Sequence, residues 1–272
     1  MATNVIEDGG VVPAPAEPAT PPRAPQHRRL YRRRFLVAYL VLAAALGATV
    51  AGIVLALGST IGSSSAGWSS WKPADGGISG AREIAQHVSP LYRLPSGKQL
   101  VDVIAKAPSV SPGNQVIPVH YLAIRGTGGK QDTIVNVDGS NTVMYSLCGL
   151  GPSCSIATGT ASVERGRLVR REILELALYT FKYLGLQNIV AFMPPRPGSQ
   201  PQYVVYLTKS DLSAELNQPL DRTLSPHTPL PNTIPAREVR TVDATTESKV
   251  FSYSLSQAQQ GDAILVLAPL PA

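Results

Sequence analysis

Ser162 to Gly185 reads SVERGRLVRREILELALYTFKYLG, and its apolar residues recur at helical spacing. Val169, Ile173, Leu176, Ala177, Phe181 and Leu184 follow one another at three- and four-residue steps and so share one face. Ser162 has the side chain of an N-cap, Glu164 suits the positive end of a helix dipole, and Gly185 stands where a left-handed C-terminal residue is wanted. The pattern predicts a helix over Val163 to Leu184, packed by its apolar face on a sheet as the central helix of a domain.

Around this helix the chain reads mostly as strands. Gln99 to Ile104, Val116 to Ile124, Thr133 to Val137 and Thr142 to Leu147 precede it, and Asn188 to Phe192, Tyr203 to Leu207, Val250 to Ser254 and Ala263 to Leu267 follow. Turn residues separate them at Ser111-Pro112-Gly113-Asn114, at Gly126-Thr127-Gly128-Gly129 and at Asp138-Gly139, the last resembling a hairpin loop. Shorter helices are expected at Ala81 to Val88 and Asp211 to Leu216. The proline-rich stretch Pro219 to Pro235 is expected to run over the surface. Strands outnumber helices and do not alternate with them, so the expected class is α+β, with a mostly antiparallel or mixed sheet.

Toward the N-terminus the chain changes character. Phe35 to Leu57 is 23 residues without an ionisable group, preceded directly by Arg28, Arg29, Arg32, Arg33 and Arg34. As a helix this stretch would be about 34 Å long, enough for a hydrocarbon core of roughly 30 Å. Its twelve Leu, Ile, Phe and Val residues contribute about −4 to −7 kcal/mol toward insertion. The expectation is a single transmembrane helix over 35–57. The arginines beside it place the preceding side in the cytoplasm and the bulk of the chain outside. Arg32-Arg33-Arg34-Phe35-Leu36 also resembles a twin-arginine signal, with Ser64-Ser65-Ala66 as a small-residue cleavage site. A signal's apolar region normally runs only ~7–15 residues, which favours an uncleaved anchor. The expected layout is a disordered proline-rich cytoplasmic tail over 1–34, the span over 35–57, a Gly/Ser-rich tether over 58–67 and one extracytoplasmic domain over 68–272.

Charge excludes one partner class. The chain has 24 Lys plus Arg against 18 Asp plus Glu, a net +6. Half of that excess precedes residue 35, so the expected domain is too weakly basic for a nucleic-acid footprint. The expected partners are the lipid bilayer and another envelope protein or an anionic envelope polymer.

Few residues suggest chemistry. Cys148 and Cys154 bracket a Gly- and Pro-containing loop, and outside the cytoplasm they are expected to form a disulfide. Closing so short a loop stabilises by roughly 2–2.5 kcal/mol. Redox dithiols use two intervening residues rather than five, which argues for a structural bond. Arg165, Arg167, Arg170 and Arg171 crowd the first half of the long helix, where the dipole already favours anions; they are candidate anion-binding residues. Pairing of Glu164 with Arg167 and of Arg171 with Glu175 on a solvated face is the competing reading.

Catalytic templates fail. Gly126-Thr127-Gly128-Gly129-Lys130-Gln131 lacks the first glycine and the Ser or Thr of a phosphate loop, and no nucleophile-elbow serine occurs. His87, His120 and His227 are scattered, with only Glu83 at helical spacing from His87, so neither a metal nor a cofactor site is expected. Glu172 and Glu175, three apart among arginines, fit ion pairing better than acid/base work. The reading is a membrane-anchored extracytoplasmic binding or scaffolding protein of the cell envelope. The alternatives are an envelope hydrolase or transferase without a local motif, and an accessory subunit of a transport or secretion assembly.

Overall fold

The computed structural model describes residues 67–111, 116–128, 130–258 and 262–270. Its helices of eight residues or more are α1 (Gly77–Val88), α2 (Val163–Tyr183) and α5 (Ala236–Thr246); α3 (Ser213–Leu216) and α4 (Leu220–Thr223) are single turns. The ends of α2 have local causes. Ser162 accepts a hydrogen bond from the Arg165 backbone N–H at 3.1 Å, and Gly185 takes a left-handed φ of 69° just beyond the helix.

Nine strands form one mixed sheet: β1 (Asp102–Lys106), β2 (Ser109–Val110), β3 (Ile117–Ile124), β4 (Thr133–Asn136), β5 (Thr142–Cys148), β6 (Asn188–Phe192), β7 (Tyr203–Thr208), β8 (Val250–Gln257) and β9 (Ala263–Pro269). The order is β1-β5-β6-β7-β8-β9-β3-β2, with β4 also on β3. β5 pairs β6 and β3 pairs β9 in parallel, and the remaining pairs are antiparallel. The two ends of this path, β1 and β2, are separated in sequence by Ala107 and Pro108 alone. Two residues cannot span a flat sheet eight strands wide, so the sheet curls until its ends approach, nearly closed and barrel-like.

Alternation along the strands then builds two cores. Met144, Val190, Val204, Tyr206, Phe251, Leu265 and Leu122 meet on the inner face. Their sequence neighbours Val143, Tyr145, Ile189, Ala191, Val205 and Leu207 point outward and pack with α2 and α1. Strands β5, β6 and β7 are buried on both faces, which is why they read as continuous apolar runs.

This architecture corrects the expected fold class. The organising element is a nearly closed mixed sheet with its own interior and few helices, not an open sheet laid on a central helix; α2 covers part of its outer face. Among the described residues no helix is long and apolar enough to cross a membrane. The 21-residue α2 has the length but carries Arg171, Glu172 and Glu175 within its middle turns. The expected membrane character of the chain is therefore without support here, and the stretch 35–57 that carried it lies outside the described residues, as do the tail 1–34 and nearly all of the tether 58–67. The proline-rich stretch 219–235 runs along the surface over the flank of α2, mostly exposed or half-buried, with Thr223 and Leu224 buried.

Leu176 and Phe181 are 0% and 1% exposed. Either changed to Ala is expected to lower unfolding free energy by ~2–5 kcal/mol in urea titrations, with an unaltered far-ultraviolet spectrum.

Candidate functional site

Three of the four helix arginines are occupied by carboxylates from α5, an element with no clear sequence signal. Arg167 reaches Asp243 through Nε at 3.0 and 3.1 Å and through Nη2 at 2.9 Å, and Arg170 reaches the same carboxylate at 2.7 Å and the Thr246 hydroxyl at 3.1 Å. Arg171 is wholly buried. Its Nε donates to Glu238 at 2.9 Å, Nη1 to the Tyr92 hydroxyl at 2.5 Å and to Glu175 at 3.3 Å, and Nη2 to the Ser225 carbonyl at 3.0 Å. Tyr92 in turn donates to Glu175 at 2.6 Å, and Glu238 accepts from the Ser225 backbone N–H. The expected Arg171–Glu175 pair forms, but inside the protein; Arg167 takes Asp243 in place of Glu164.

Burial acts first on each of these groups, and the partners decide the outcome. Glu238 loses solvent yet stays below the usual glutamate range because Arg171 and Ser225 favour its charged form. Arg171 is likewise desolvated, and the surrounding acids hold it firmly protonated. For Glu175 desolvation wins, and its pKa is raised despite Arg171 and the Tyr92 hydrogen bond.

Arg165 differs from the other three. It is 7% exposed, and no ion pair reaches it among the described residues; Nη1 donates to the Thr158 carbonyl at 2.8 Å. Burial lowers its pKa, the direction expected of a cation without a counter-ion. It lines a cavity of 470 Å³ together with Ser162, Gly166, Arg196, Gln202 and Tyr203 at the start of α2. Among the described residues two arginines and no acid line this cavity. Arg196 stands exposed in Pro194-Pro195-Arg196-Pro197, whose fixed φ angles hold the segment in shape. Sequence reading did not single it out; a lone cation between prolines was the available signal.

A second cavity, of 510 Å³, collects His87, Glu175, Tyr179, Ser69, Ser225 and Arg222. Its rim is aromatic. Trp71 stacks on the His87 ring at 4.0 Å, and Trp68 meets Tyr179 and Tyr183 edge-on at 5.8 Å, so both tryptophans pack onto the domain. Glu83 turns away from His87 and accepts from the Ala74 and Asp75 backbone N–H groups. His120 lies exposed on β3 and His227 in the segment covering α2. Among the described residues no three His, Cys, Asp or Glu converge as metal ligands.

Cys148 and Cys154 are disulfide-bonded, with Cα atoms 4.4 Å apart. The short loop drives Ser153 and Cys154 to left-handed φ values of 54° and 63°. At Gly149 a Cβ would collide with the Ser155 carbonyl, so a larger residue there would push the loop open.

Glu172 is fully buried, and neither carboxylate oxygen has a hydrogen-bond partner. Desolvation, then Glu175 and Asp102, push its pKa well above the glutamate range, favouring the neutral form. The folded state thus keeps this proton to higher pH than the unfolded chain does. Its penalty is absent below the ordinary glutamate pKa and grows as pH rises through the folded value. Glu172→Gln is expected to match the parent protein near pH 4 and to exceed it in melting temperature by a margin that widens toward pH 8. Glu238→Gln, which leaves Arg171 buried with a weaker partner, is expected to cost about 3–5 kcal/mol in denaturant titrations near neutral pH.

No family model matches the chain, and neither the curated proteins nor the solved structures hold one that is similar to it.

Proposed function

We propose that the described domain is a non-enzymatic binding module of the cell envelope, working outside the cytoplasm, which takes an anionic envelope component at the Arg165–Arg196 cavity. The observation that carries this reading is a nine-tenths-buried arginine with no ion pair among the described residues, in the first turn of a 21-residue helix, which shares a cavity lining with a second arginine, Arg196. A cation there is disfavoured twice, by desolvation and by the positive end of the helix dipole. A phosphate or carboxylate would relieve both, accepting from guanidinium forks in the geometry arginine suits best. The neighbouring arginines do not compete, since Asp243, Glu175 and Glu238 already neutralise them. The Cys148–Cys154 disulfide supports an oxidising compartment.

A hydrolase or transferase is the second reading, favoured by the meeting of His87, Glu175 and serines around the 510 Å³ cavity. Against it, no hydrogen bond links His87 to Glu175 or to any serine among the described residues, and the Glu175 Oε2 is engaged by Tyr92 and Arg171.

Titration with inorganic phosphate or a teichoic-type polyphosphate, followed calorimetrically at low and at physiological salt, tests the binding reading. Arg196→Ala, at an exposed position, is expected to weaken binding about tenfold without moving the melting temperature, and Arg165→Gln to weaken it further. Unchanged affinity in both variants would remove the reading.

A further inference from the structure

The cationic cavity does not stand alone. A cleft of 350 Å³ at the mouth of the barrel-like sheet shares Met193 and Pro195 with it as a common wall. The cleft runs between Ile104 and Lys106 of β1, Phe192 of β6, and Tyr253 and Leu255 of β8. It is lined largely by apolar side chains. Ile104 and Leu255 are 52% and 47% exposed, large apolar side chains left facing water beside the Phe192–Tyr253 pair, whose rings meet edge-on at 5.1 Å.

Among the described residues Lys106 is the only charged one lining the cleft. Its Nζ lies 5.9 Å from the Phe192 ring centroid, and no ion pair reaches it among the described residues. Among the described residues no acidic side chain lines either of the two cavities. Along one shared wall the lining therefore passes from a cavity that holds Arg165 and Arg196 to an apolar slot, and every charged residue among the described linings is positive. A charged polymer would meet cations throughout its footprint and gains nothing from the apolar half. A molecule with one anionic end and one hydrocarbon end matches both halves.

We infer that the ligand is an anionic amphiphile, its phosphate or carboxylate head between Arg165 and Arg196 and its hydrocarbon chain laid past Met193 and Pro195 into the cleft under Lys106. This rests on the anion-binding reading above and names the class of ligand. Barrel mouths are a recurrent place for such ligands, because curvature leaves inner-facing apolar side chains without a partner strand.

The test is calorimetric titration of the full chain with three probes: inorganic phosphate, dodecyl phosphate and dodecyltrimethylammonium, the last two below their micellar concentrations. Dodecyl phosphate is expected to bind at least about tenfold more tightly than phosphate, because burial of even a few methylenes supplies that factor. The cationic amphiphile is expected to bind more weakly than the anionic one by a similar factor. The double variant Ile104→Asn, Leu255→Asn alters two half-exposed positions and is expected to erase the advantage of the dodecyl chain while leaving phosphate affinity intact. Equal affinity for phosphate and dodecyl phosphate, equal affinity for the two amphiphiles, or an undiminished chain effect in the double variant would each overturn the amphiphile assignment and leave anion binding standing. Absence of binding by either phosphate probe would overturn both.

Discussion

The Arg171 guanidinium is the fixed point around which the helical side of this protein is assembled. It is buried completely, so all of its donors must be satisfied by protein, and the groups that do so come from four separate parts of the chain: Glu175 of α2, Tyr92 after α1, Ser225 of the covering segment and Glu238 of α5. A buried charge tolerates no missing partner, because its desolvation is offset only while the set is complete. That requirement ties α5 and the proline-rich segment down onto α2. It also explains why a helix whose sequence shows one apolar stripe is buried without interruption from Arg171 to Phe181. The polar flank has its own lid, and the lid is held by charge.

The sheet imposes the complementary constraint. Because β1 and β2 are joined by two residues while lying at opposite ends of the strand order, curvature is forced by connectivity as well as by strand twist. Curling separates the apolar residues into an inner cluster and an outer one that receives α2. It also leaves a mouth where Ile104, Phe192, Tyr253 and Leu255 are only partly covered. The start of α2 and this mouth adjoin through the segment after β6, so the cationic and apolar cavities are neighbours for reasons of topology rather than of local sequence.

Of the candidate site, the residue types were readable and their states were not. Four arginines at the start of a helix looked equivalent, yet Arg167 and Arg170 share Asp243, Arg171 is locked in the interior, and Arg165 is the one of the four without a carboxylate among the described residues. The difference lies in α5, about seventy residues away in sequence. That helix escaped notice because its Thr- and Val-rich sequence has low helical propensity. The hydroxyls of Thr241, Thr245 and Thr246 bond back to carbonyls four residues earlier, and tertiary contact rather than propensity stabilises it. Arg196 and Lys106 were passed over for a related reason: a single cation in a loop or a strand has no meaning until the walls around it are known.

The sequence by itself determined the local structure: the caps of α2 at Ser162 and Gly185, eight of the nine strands to within a few residues, and the Cys148–Cys154 bond across a loop too short for most alternatives. These depend on periodicity, capping and steric freedom, which act over a few residues and are therefore written in them. Only the tertiary structure decided that the sheet curls nearly shut, that Glu172 is sealed in without a hydrogen-bond partner, and which helix arginine has no counter-ion among the described residues. Those outcomes depend on desolvation and on charges brought together from distant parts of the chain, and both are properties of the packed molecule that no window of sequence contains.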